Sequence, residues 1–285
     1  MAAASASVIS VRHRTPPELI RKALCTMHVV VDENDLFAEV RGDGDAVVLL
    51  HGFPLTHRIW DSTANALAEK YRVVAPDLRG MGASGGTEGP YLMEQLAGDL
   101  AAMLDALGIE RTTIVGHSLG GYVALAFARM YDARVSRLAL VASRLVADTP
   151  EIAAARRALA DRIEAHDAID AALDESLPRL LAPGSSGAVR NSAREIAREN
   201  NPVGLAAMLR GMALRDDARD IAGELTMPVT VIAGVEDPGI SLEEAHAVAD
   251  AFPNAELVML ERVAHLPMLE DPAGLERALR GLLAR

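Results

Sequence analysis

A serine set among glycines, a histidine beside a proline and a pair of adjacent acids give this chain the parts for acyl-transfer chemistry. Gly116-His117-Ser118-Leu119-Gly120, with Gly121 beyond, joins an apolar run at 112–115 to a small-residue stretch of helical character. A sharp turn there pushes one hydroxyl outward, and the flanking glycines spare the turn side-chain collisions. Ser118 can then attack a carbonyl, while the Leu119 N–H at the helix start favours developing negative charge. A glycine-rich turn without chemistry is the plainer alternative. His51-Gly52-Phe53-Pro54 ends the apolar run 47–50 and can turn the Phe53 N–H toward the same centre. Its plainer role is a strand-ending turn with a packed aromatic.

A hydroxyl needs a base, and a neutral imidazole suits the task. Of the eight histidines, His265 in Val263-Ala264-His265-Leu266-Pro267 follows an apolar run at 256–260 and so falls at a strand end. His51 and His117 read as structural hydrogen-bonding groups, and His246 sits in a helical stretch. The base needs a carboxylate to orient it. Gly234-Val235-Glu236-Asp237-Pro238 offers two, with Asp237 preferred, Glu236 its competitor and turn capping the plainer role. In Asp77-Leu78-Arg79-Gly80, Arg79 can anchor a substrate carboxylate, but support of a loop is the simpler expectation.

No cofactor or metal is expected. Residues 80–86 are glycine-rich without being a dinucleotide or phosphate-loop fingerprint, and the histidines lack HExxH spacing. Cys25 is the single cysteine, so it forms no internal disulfide and reads as a buried or incidental thiol. The net charge of −12 is spread along the chain, with no basic stripe to attract nucleic acid. No apolar segment is long enough for a membrane span, and the opening residues lack a secretory pattern. A cytoplasmic enzyme acting on a small-molecule substrate is the expectation.

The elements that must hold these residues follow from periodicity. Short apolar runs at 29–31, 36–40, 47–50, 71–76, 112–115, 135–141, 229–233 and 256–260 alternate with helical stretches. Leu92, Leu96, Leu100, Leu104 and Leu107 mark one helix face. The alternation predicts an α/β fold, a mainly parallel sheet flanked by helices. Between 144 and 224 the rhythm becomes helical only, which predicts an inserted helical cap. The expected organisation is a core of 27–143 and 225–285, with residues 1–26 an extension or peripheral helix. Met208, Leu209, Met212 and Leu214 line the pocket or pack the cap itself.

HGFP at 51–54, DLRGMG at 77–82, GHSLGG at 116–121, GVED at 234–237 and VAHLP at 263–267 together resemble the α/β-hydrolase superfamily, in its serine-nucleophile branch with a helical cap. The resemblance covers most of residues 28–285. It implies Ser118 as nucleophile, Asp237 and His265 as its partners in that chain order, and Phe53 and Leu119 as backbone donors of an oxyanion hole. Esterases, enol-lactone hydrolases, haloperoxidase-like perhydrolases and carbon–carbon bond hydrolases are the similar branches, and hydrolysis of a small or medium-sized ester or lactone is the activity implied. A serine at the elbow departs from the aspartate of haloalkane dehalogenases and epoxide hydrolases. A ligand-binding protein that keeps the fold without catalysis is the alternative of another class.

Overall fold

In the computed structural model, which describes residues 8–13, 25–166 and 169–285, the apolar runs become strands. These are β1 (Val8–His13), β2 (Cys25–Val31), β3 (Asn34–Arg41), β4 (Ala46–Leu50), β5 (Arg72–Pro76), β6 (Thr112–His117), β7 (Val135–Val141), β8 (Val229–Gly234) and β9 (Ala255–Leu260). They form one sheet in the order β1-β2-β3-β5-β4-β6-β7-β8-β9. From β1 to β5 the neighbours are antiparallel, and from β5 through β9 they are parallel. β6 and β8 are buried along their whole length, as continuous apolar strands covered on both faces must be. β2 instead alternates, with Cys25, Met27, Val29 and Val31 buried and the residues between them half-buried. The β2–β3 hairpin turns at Asp32 and Glu33, whose φ values of 45° and 68° are those of a tight two-residue turn.

Helices α1 (Asp61–Leu67), α2 (Met93–Ala106) and α3 (Leu119–Tyr131) precede β7; α9 (Leu242–Asp250), α10 (Pro267–Glu270) and α11 (Pro272–Leu283) follow β8. Leu96, Leu100 and Leu104 of α2 join Val123 and Phe127 of α3 in the core on one face of the sheet. Leu67 of α1 joins Leu275, Leu279 and Leu282 of α11 in the core on the other. Leu92, expected on the buried face, caps α2 and stays exposed, one turn short of the contact.

Between β7 and β8 lie α4 (Pro150–His166), α5 (Ile169–Ser176), α6 (Gly187–Ala197), α7 (Pro202–Met212) and α8 (Arg219–Ala222). α4 packs along α7. Ala160, Ile163, Leu205, Met208, Leu209 and Met212 merge with the first core, while Leu173, Leu177, Ala193 and Ile196 merge with the second. The inserted helices therefore grip both faces of the sheet. Leu214, beyond the end of α7, points to solvent instead.

Residues 8–13 correct the expectation of an extension or helix at the N-terminus: they form the edge strand β1. A Val-Ile-Ser-Val segment suits a strand, and the open edge of β2 offers it backbone partners. Residues 1–7 and 14–24, the rest of that expectation apart from the first two residues of β2, lie outside the described residues.

One topological fact positions the chemistry. After β4 the chain moves to one side to form β5, then returns to the other side for β6. The crevice at the carboxyl ends of β4 and β6 is where such sheets take ligands.

Candidate active site

Leu50 pairs with Gly116, so the loop that follows β4 and the turn that follows β6 leave the sheet side by side. Ser118 sits in that turn at φ 49° and ψ −111°, a left-handed conformation that costs a serine on the order of 1–3 kcal/mol. Its surroundings hold it there. The Ser118 N–H donates to the Val141 carbonyl at 2.9 Å, and its carbonyl accepts from the Gly121 N–H at 2.9 Å and the Ser143 hydroxyl at 2.8 Å. A Cβ on Gly120 would stand 2.4 Å from the Leu50 carbonyl, and one on Gly116 2.4 Å from that of Gly120. The glycines are demanded by close approach. Leu119 begins α3, so its N–H belongs to the first turn, which has no partner within its own helix.

The loop after β4 is fixed from below by two neutral histidines. His51 accepts the Leu78 N–H at Nε2 (3.0 Å) and donates from Nδ1 to the Gly52 carbonyl (3.1 Å), which sets its tautomer. Burial holds its pKa below the ordinary histidine value. His117 donates from Nε2 to the His265 carbonyl at 2.8 Å, and burial, reinforced by the nearby His265, holds it well below the usual range. A Cβ on Gly52 would meet His117 Nδ1 at 2.4 Å. Both rings are structural.

His57, which follows this loop, pairs with the buried Asp77. Asp77 accepts from the His57 N–H (2.7 Å), the His57 ring (2.9 Å) and the Ala83 N–H (2.9 Å). Burial opposes charge on both partners, but the hydrogen bond and the opposite charge outweigh it, so His57 is raised and Asp77 lowered. Arg79 is buried against Asp99, with Nε 2.8 Å from Oδ2, and lines no part of the cavity over Ser118. Asn200, from the turn before α7, donates to the Pro54 carbonyl and accepts from the Gly82 N–H, each at 2.8 Å. It ties the two loops to the insertion.

At the ends of β8 and β9 the second half of the site assembles. Asp237 Oδ2 lies 2.7 Å from His265 Nδ1, and Oδ1 accepts from the Gly239 and Ile240 N–H groups at 2.7 and 3.3 Å. The Asp237 carboxyl is 1% exposed, whereas Glu236 faces solvent, so Asp237 is the acid that meets the ring. A carboxylate at Nδ1 requires the proton there and leaves Nε2 as the basic nitrogen. The His265 N–H donates to the Leu180 carbonyl at 3.1 Å.

Glu270 carries no signal in the sequence as read, yet it organises this loop. Its Oε2 accepts from the Ala264 and Leu266 N–H groups at 3.0 and 3.2 Å, the two neighbours of His265. Its Oε1 accepts from the Ala182 N–H at 2.7 Å and the Ser185 hydroxyl at 2.6 Å, both in the insertion. The spacing of five residues from His265 to this acid, which closes α10, is the only trace available beforehand.

Ser118 and His265 line one cavity of about 210 Å³. Phe53, Pro54, Tyr122, Gly239 and Ile240 complete the wall on the sheet side. Arg144 stands where the insertion begins, and Arg156, Ser176, Leu180 and Met212 come from the inserted helices. Of the four apolar residues expected near the pocket, Met212 alone is among its lining; Met208 and Leu209 pack in the core. Cys25 is remote from the cavity, and burial pushes its thiol up. Among the described residues no group of three or more His, Cys, Asp or Glu could hold a metal ion, and no helix is long and apolar enough to cross a membrane.

A family model described as alpha/beta hydrolase fold matches residues 45–272. The chain is similar to a pimeloyl-[acyl-carrier protein] methyl ester esterase of Chromobacterium violaceum, with 31% identity across 86% of this chain and 96% of that one. A solved thermophilic esterase from Thermogutta terrifontis, with malate bound, superposes with a TM-score of 0.86 at 32% identity, covering 98% of each chain. The enol-lactonase from Burkholderia xenovorans LB400 gives a TM-score of 0.84 at 25% identity over 90% of this chain and all of that one.

Proposed function

The chain belongs to the α/β-hydrolase fold family, and from that premise we propose that it is a serine hydrolase of small or medium-sized carboxylic esters or lactones. One observation carries the reading. Ser118, on its strained turn, shares a cavity with His265, whose Nδ1 is held by the buried Asp237 at 2.7 Å.

The chemistry follows from the shared cavity and the held imidazole. His265 Nε2 takes the Ser118 proton as Oγ attacks the carbonyl carbon. The carbonyl π pair moves to oxygen, where the Phe53 and Leu119 N–H groups receive it. Such a donor lowers the barrier by about 2.7–4 kcal/mol in a related chemistry. Collapse breaks the bond to the leaving alkoxide, which departs with the proton from His265 and leaves an acyl-serine. Water, deprotonated by the same nitrogen, then releases the acid. Asp237 stabilises the imidazolium in both halves. The esterase and lactonase relatives, which share this fold, support ester-type substrates.

The test is turnover of an ester and lactone panel by the wild type and Ser118→Ala. Activity should fall about 10⁴-fold or more in the variant, with an acyl adduct on Ser118 found by mass spectrometry after a rapid acid quench of the wild type. Undiminished turnover in Ser118→Ala would overturn the mechanism.

A further inference from the structure

The charged wall of the cavity has no part in the steps above. Arg156, on α4, turns two nitrogens toward Asp148: Nε donates to Oδ2 at 2.6 Å, and Nη2 reaches Oδ1 at 3.4 Å. Asp148 is not Arg156's alone. Arg215 donates from Nη1 to the same Oδ1, in a pair whose side chains are each 2% exposed. One carboxylate thus serves two guanidinium groups, and the triad keeps a net charge of +1.

Among the described residues, Asp148 is the one carboxylate paired with Arg156. Arg144 pairs with Glu244, Nε to Oε1 at 3.1 Å, and carries no surplus. Arg215 is further committed through Nη2 to the Val146 carbonyl at 2.6 Å and lies 4.1 Å above the Tyr122 ring. Glu94 and Asp216 line a separate small cavity together with Arg129, Arg144 and Arg215. Asp237 is occupied by His265.

Arg156 is the member of the triad that lines the cavity of Ser118 and His265. Among the described residues its Nη1 meets the Met212 sulfur at 3.5 Å, and a thioether is a weak acceptor. A charged donor on a half-buried wall, with its fork already oriented by Asp148, is preorganised for an anion. A planar carboxylate matches such a guanidinium edge.

We propose that the substrate carries a carboxylate a few bonds from the scissile carbonyl, held by Arg156, so that the enzyme acts on half-esters of dicarboxylic acids. This rests on the serine-hydrolase reading. Each turnover forms and breaks one Ser118–acyl bond and consumes one water. It yields the alcohol, the dicarboxylate and one proton.

The experiment compares monomethyl esters of malonate, succinate, glutarate and adipate with the dimethyl diesters of the same acids, using the full chain and a pH-stat. At one chain length or more, kcat/KM for the half-ester should exceed that for the diester by about tenfold or more, the scale of a charge-assisted contact. Arg156→Gln should bring that ratio to about one, and Arg156→Lys should recover part of it. The free dicarboxylate of the preferred length should inhibit the wild type competitively. Preference for the diester at every length would overturn the proposal even if Arg156→Gln failed to fold. So would a ratio unchanged by Arg156→Gln. In either of those cases, diester hydrolysis that Ser118→Ala abolishes would leave the serine-hydrolase reading standing. Absence of turnover on every ester would overturn both.

Discussion

The two walls of the cavity are built by different means. On the sheet side, Ser118, Phe53, Asp237 and His265 stand on loops at strand ends, and backbone contacts of 2.7–3.3 Å together with glycines that admit no Cβ fix the loops. On the insertion side, Arg156, Leu180 and Met212 project from helices or the turn between them, and a shared carboxylate orients the arginine. Under the proposed mechanism, the first wall serves a reaction common to many substrates. The second can change one side chain at a time without disturbing the turn that holds the nucleophile. On the proposed reading, chemistry and selectivity are separated in the chain as well as in space.

The largest expected effect falls on the first wall. Asp237→Asn keeps the shape but disturbs the tautomer of His265, and kcat should fall by about 10⁴-fold. Steady-state hydrolysis with the panel above measures it, and a loss of less than tenfold would break the contrast. On the second wall Asp148→Asn should act mainly on stability. It leaves the 2%-exposed Arg215 without its carboxylate, at a cost of about 3 kcal/mol, read from urea denaturation. A change below 1 kcal/mol would mean that the charges there are loosely held.

Glu270 is the seam between the walls, since its carboxylate accepts from two groups of each. Glu270→Gln turns an amide against some of those donors. We expect about 1–3 kcal/mol lost from stability and kcat lowered more than KM is raised, because His265 loses its seat. Equal changes in both constants would make Glu270 a purely structural support. The smallest effect is a slope with pH. His51 and His117 are held neutral by burial, so the unfolded chain binds more protons than the folded one below its ordinary value of 6.5. Stability should therefore fall as pH drops from 6.5 to 5. His57 is raised by Asp77, so its contribution is fully present below 6.5 and is lost only as pH rises. Urea midpoints at the two pH values should show a shallower slope in His117→Gln, which retains a donor but does not titrate.

The same division explains what could be read in advance. Gly116, Gly120 and Gly121 are visible as a pattern because close approach, of backbone at the first two and of the Ser143 side chain at the third, leaves no room for a Cβ. The strand-end position of His265 follows from the apolar run before it, and the parallel core strands from their unbroken burial. Arg156 sits on α4, a helix rich in charge, where the one arginine that faces inward looks like its neighbours. Asn200 and Glu270 act across more than eighty residues, on Pro54 and on Ala182, and no local period registers such contacts. The sequence already favours Asp237, just before Pro238, over Glu236, and the fold adds that only Asp237 is buried. Strand β1 was missed because its pairing, not its own short run, makes it regular.

The inserted helices share their apolar residues with the cores on both faces of the sheet. Such a segment is not an exchangeable module. Excising it, or grafting in that of another hydrolase, would strip Ile163, Leu205 and Ile196 from the packing that supports the strands themselves. Diversification of this scaffold, in nature or at the bench, is thus steered toward point changes on the inner helix faces and away from wholesale replacement.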